Sequence, residues 1–187
     1  MIRGSLRAAL LALLPLPALA QDVSDEAALL DAFAARCAEV SADPRGAVNA
    51  LVGAEDEGAG GAMTSDGAVA NLTEHNLGVE DPDGLESVFT FYQTVVAGEA
   101  RQSCSLSVFG RDDGGALAGM APVVAIRAPE LLGGPVAQVG GPVMSAGELG
   151  QFLLWHRTDA GADGPLLTLS QDERSVGLGL ARVVPAP

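Results

Sequence analysis

The chain reads as an α+β fold: an antiparallel sheet, made of a hairpin and a C-terminal β-meander, with N-terminal helices packed on one face and one disulfide. Three observations predict it. Leu30, Phe33, Cys37 and Val40 step by three, four and three, which is one stripe of a helix. From Arg101 to Phe109 the pattern changes to strict alternation, with Ser103, Ser105 and Ser107 set against Cys104, Leu106 and Val108. The chain has only 2 cysteines, and each lies on one of these apolar faces. An inward cysteine on a helix and an inward cysteine on a strand can meet only where helix and sheet pack together, so a Cys37–Cys104 bond predicts that packing.

Met1 to Ala20 has the three parts of a secretory signal peptide. Arg3 and Arg7 form the charged start, Ala8 to Ala20 the apolar run, and Ala18-Leu19-Ala20 the small-residue end. Pro15 and Pro17 interrupt the run, which falls short of the roughly 20 apolar residues a membrane span needs. Cleavage after Ala20 leaves residues 21–187 as a single α+β domain, with no membrane span and no cysteine at the new terminus to take a lipid. The expected location is the periplasm, reached by Sec export, or the medium beyond it. That oxidising compartment favours pairing of the two cysteines.

Ser24 is placed to cap the first helix, Asp25 and Glu26 suit the positive end of its dipole, and Asp43-Pro44 marks its stop. Asp43 and Pro44 then open a short second helix with Val48, Leu51 and Val52 as its apolar positions. Gly53 to Gly67 reads as an acidic loop around Glu55, Asp56 and Glu57, and the stretch from Asn71 to Leu77 as unassigned with His75 in a loop. Ser87 to Val96, rich in Val, Thr and Phe, is a strand. It turns through Ala97-Gly98-Glu99-Ala100 into the Cys104 strand, forming the hairpin.

Past Asp112-Asp113-Gly114-Gly115 the pattern weakens. Leu117 and Met120 could open a helix, but Pro122, Pro129 and Pro135 limit its length, and Val123 to Arg127 reads as a short strand. The glycines from Gly133 to Gly150 read as structural. Gln151–Arg157, Leu166–Ser170 and Ser175–Val184 form the meander. A helix over 146–156 is the alternative there, because Ser145 and Glu148 have capping-box spacing.

The motifs of several chemistries are missing from the sequence. It has no G-x-S-x-G, no H-E-x-x-H, no G-x-x-x-x-G-K-[ST], no C-x-x-C-H and no lysine. A His-dependent site must therefore use His75 or His156. Asp81-Pro82-Asp83-Gly84 begins like a calcium loop, but from Asp81 the sixth position is Glu86 where glycine is needed, so a turn is the better reading. Asn71-Leu72-Thr73 has the form of a glycosylation acceptor, relevant only in a secreting eukaryote. No catalytic residue, cofactor or metal ligand is assigned.

Acids outnumber bases 24 to 10, and losing Arg3 and Arg7 takes the formal charge from −14 to −16. Such a chain repels polyanions, and its arginines are scattered singly, so nucleic acid is excluded as a partner. The Ala, Gly and Arg bias, the leader and the cysteine placement resemble the uncharacterised small exported proteins of high-GC Gram-negative bacteria, the alphaproteobacteria among them. That resemblance implies export. The expected function is a non-enzymatic, soluble periplasmic interaction or accessory module of the cell envelope, with a basic envelope protein as the natural partner. The alternatives are a small-ligand or divalent-metal binder using Glu55–Glu57 and Asp81–Glu86, and a hydrolase with His75 or His156 as general base.

Overall fold

The computed structural model describes residues 25–52, 59–77, 86–109, 119–145, 148–171 and 175–186. The leader, Ser24, Glu55–Glu57 and Asp81–Asp83 lie outside them. Two helices come first, α1 (Asp25–Ala42) and α2 (Pro44–Val52), then four strands, β1 (Gly60–Met63), β2 (Val69–His75), β3 (Glu86–Val96) and β4 (Glu99–Phe109). A third helix, α3 (Met120–Leu132), precedes β5 (Val136–Ser145), β6 (Glu148–Arg157), β7 (Leu166–Gln171) and β8 (Ser175–Pro185). All eight strands form one antiparallel sheet in the order β1-β2-β3-β4-β8-β7-β6-β5. The fold is therefore a helical unit plus four strands, used twice, with the last strand of each half meeting the other at the centre.

One alternate set of strand residues makes the core. Phe89 and Phe91 of β3, Cys104 and Leu106 of β4, Leu178 of β8, Leu167 and Leu169 of β7 and Trp155 of β6 are all buried. They share one cluster with Leu30, Phe33 and Val40 of α1, Val48 of α2, and Val124 and Ala128 of α3. The rings of Phe33 and Phe89 meet edge to face at 6.3 Å. The Cys37–Cys104 disulfide joins α1 to β4 with an S–S distance of 1.99 Å and Cα atoms 5.8 Å apart. Arg36 clamps the same helix to β2 through a two-pronged pair with Glu74 at 2.6 and 2.7 Å. That pairing raises the Arg36 pKa above its ordinary value, against the opposing effect of burial.

The buried polar side chains are tied into a chain of hydrogen bonds, as burial demands. Gln102 donates to the Gln93 side chain at 2.9 Å and to the Ser41 carbonyl at 3.1 Å, while Arg182 donates to Gln102 at 3.2 Å. The start of α2 is capped by Asp43, whose carboxylate accepts from the Gly46 N–H at 2.9 Å, with Pro44 at the first helical position where no N–H is required.

Several expectations need correction. Val123 to Arg127 is helix, not strand. Pro122 falls in the first turn of α3, where N–H groups lack intrahelical partners anyway, and Pro129 lies close enough to the end to forfeit one bond. Met120, Val124, Ala128 and Leu132 recur every fourth residue and bury one stripe. Gly133, at φ 72°, ends the helix in the left-handed conformation that a side chain would resist. The expected loop of Gly53–Gly67 contains strand β1, held by a bond from the Ala62 N–H to the Asn71 side chain at 2.9 Å. The unassigned stretch around Asn71 is β2, which places His75 at a strand end rather than in a loop. β5 occupies the glycine-rich segment. There Gly140 has φ 118°, and a Cβ would meet the Phe152 carbonyl. Glu148–Arg157 is strand β6, so of the two readings of that segment the strand holds rather than the alternative helix.

Candidate functional site

The second set of strand residues points away from that core and forms a face open to solvent. Among the described residues, seven large apolar side chains are exposed, and six of them lie on this face: Val69, Tyr92, Val96, Phe109, Val139 and Phe152. The seventh, Ile126, is on α3. The six are distributed over β2, β3, β4, β5 and β6, with no two directly opposite each other in the register.

Strand register turns this set into rows. Asn71, Tyr92, Ser103, Ala181, Leu166 and His156 are consecutive cross-strand neighbours from β2 to β6. The next row is Thr73, Thr90, Ser105, Gly179, Thr168 and Leu154, in which the Thr90 and Ser105 hydroxyls bond at 2.6 Å. Along the middle of the two central strands the outward residues are small: Ser103, Ser105 and Ser107 on β4 and Gly177, Gly179 and Ala181 on β8. A shallow trough therefore runs along β4 and β8, between larger side chains on β3 and on β6.

At one end of the trough the β6–β7 connection closes over the sheet and makes a cleft of about 320 Å³. Tyr92 and Thr94 of β3, Arg101 and Ser103 of β4, Leu166 of β7 and Asp163 of the connection are among its walls. The connection is anchored at its start, where Arg157 grips Asp159 with two bonds of 2.8 Å and the Thr158 N–H donates to the Pro135 carbonyl at 3.0 Å. The same guanidinium holds the Asp159 carboxyl below the ordinary carboxylate range. Arg101 reaches Asp163 only at 3.7 Å, and both side chains stay largely exposed, at 60% and 76%.

No protein-family model, curated protein or solved structure matches the chain.

The two histidines are not brought together. His75 and His156 are on β2 and β6, five strand spacings or roughly 24 Å apart. His75 Nδ1 lies 3.4 Å from Glu86, and His156 Nδ1 lies 3.3 Å from the Arg157 carbonyl. Neither geometry places an imidazole against a hydroxyl nucleophile among the described residues. No group of three or more His, Cys, Asp or Glu that could hold a metal occurs among them either. Of the acidic candidates Glu55–Glu57 and Asp81–Glu86, only Glu86 is described, at the start of β3. No described helix is long and apolar enough to cross a membrane.

Tyr92, Arg101 and Asp163 were not legible as a site in the sequence. The signal available was parity: Arg101 shares the outward set with Ser103, Ser105 and Ser107. What parity could not supply was the neighbour across the centre, because β8 joins β4 from more than 60 residues away.

Proposed function

We propose that the chain is a non-enzymatic binding module of the periplasm that docks a basic envelope protein on the open face of its sheet. The observation that carries this reading is the gathering of six of the seven exposed large apolar side chains on that face. The face also has the right size. Seven strands, β2 to β8, at about 4.8 Å spacing with at least six residues along each give on the order of 700 Å², close to the ~800 Å² that each partner contributes to a stable interface. Tyr92 and Arg101 are of the residue types that most often dominate binding energy.

Charge supports the choice of partner. The net −14 of the chain favours approach by a basic protein, and Glu86 and Glu99 stand exposed in the outward sets of β3 and β4. The leader and the two paired cysteines support export to an oxidising compartment.

The test is affinity capture from the native envelope with the wild-type chain, Phe152→Glu and Ile126→Glu. A partner retained by wild type and Ile126→Glu, lost with Phe152→Glu and weakened by added salt is the expected result. A partner retained equally by all three contradicts docking on this face.

A further inference from the structure

We propose that the cleft beneath the β6–β7 connection binds a small zwitterion with an apolar body, of the kind represented by an apolar α-amino acid, its carboxylate on Arg101 and its ammonium on Asp163. Three features converge there. The first is the state of Arg101. Among the described residues, Arg36, Arg127 and Arg157 hold their carboxylates at 2.6 to 2.9 Å. Arg101 meets Asp163 by one contact at 3.7 Å, beyond hydrogen-bond range, so its fork of donors is open to a better-placed carboxylate.

The second feature is the pairing of signs. A free anion approaching a chain of charge −14 is repelled, and a cation alone leaves the guanidinium unmatched. A zwitterion brings no net charge and offers one group to each side chain. The third is the lining between them. Leu166, Ala181 and Val183 supply an apolar floor, the Tyr92 ring a wall, and the Thr94 and Ser103 hydroxyls further polar groups, while Arg182, which also lines the cleft, is already bonded to Gln102 at 3.2 Å. A volume of about 320 Å³ is at the lower end of the range for small-molecule sites.

The cleft shares Tyr92 and Arg101 with the docking face, but Phe152 and Val139, on β6 and β5, are not among its walls, so Phe152→Glu tests docking without altering the cleft lining. The experiment is calorimetric titration of the mature protein with L-leucine and with L-phenylalanine, beside N-acetyl-L-phenylalanine, which lacks the ammonium, and L-phenylalaninamide, which lacks the carboxylate. Saturable millimolar binding of at least one amino acid is expected, with the analogues of phenylalanine and the Arg101→Gln and Asp163→Asn variants each weaker by about tenfold or more. Both substitutions are at exposed side chains, and unchanged melting temperatures establish that the variants are folded. Absence of saturable binding by either amino acid overturns the proposal, as does equal binding of the N-acetyl analogue or of Arg101→Gln.

Discussion

Replacing both cysteines by alanine removes the disulfide crosslink between α1 and β4. The bond closes a loop with a sequence separation of 67 between α1 and β4. By loop-closure entropy, a loop of that length constrains the unfolded chain by roughly 4 kcal/mol. Both cysteines are 2% exposed, and alanine puts no unpartnered hydroxyl in their place. Two small voids add to the loss, so about 4 kcal/mol is a lower figure for the Cys37→Ala/Cys104→Ala protein. At 2–4 °C per kcal/mol for a chain of this size, the melting temperature should fall by about 8–16 °C. Urea unfolding followed by circular dichroism is the assay. Release of the crosslink lets the unfolded chain expand and should also steepen the dependence of stability on urea. A loss below about 1 kcal/mol, or an unchanged urea dependence, would refute the loop-closure reasoning.

Other consequences follow from particular contacts. Asp43→Ala removes the cap bond to Gly46 at the start of α2 and should cost about 1 kcal/mol in chemical denaturation. Trp155→Ala should cost about 3–5 kcal/mol because the ring is buried beneath α3, whereas Ile126→Ala, 77% exposed, should stay within about 0.5 kcal/mol of wild type. The Asp159 carboxyl titrates below its ordinary value because Arg157 bonds its charged form, so its contribution is present above the unfolded pKa and is lost as pH falls through the folded one. The stability difference between wild type and Asp159→Asn should therefore be small, given the exposure of the pair, constant near neutrality and vanishing as pH falls through the lowered folded-state pKa, as read from melting temperatures across pH.

Helix α1 was legible in the sequence because its apolar residues keep one period and its end is marked by Asp43-Pro44. The Cys37–Cys104 bond was legible because each cysteine sits on the apolar side of its own pattern. The α+β class with an antiparallel sheet followed from those two patterns. Helix α3 was misread because its prolines look prohibitive until their positions are known, one in the first turn and one near the end. Strands β1, β2 and β5 were missed because Gly60-Gly61, Asn71 and the Gly140-Gly141-Pro142 run have little intrinsic strand preference, and cross-strand pairing overrides that. The candidate site was hidden for a different reason. The β3–β4 hairpin brings Tyr92 near Arg101, but Asp163 joins them only because β8 and β7 pair onto β4 and the β6–β7 connection folds over the sheet, and neither event leaves a local trace.

Docking on the open face is the central claim, and site-specific photo-crosslinking in the native envelope tests it most directly. A photoreactive side chain in place of Phe152 should give one discrete adduct with a basic envelope protein, and the same group in place of Ile126 should give none. An adduct formed from position 126 and absent from position 152 would place the partner on the helices and contradict the account.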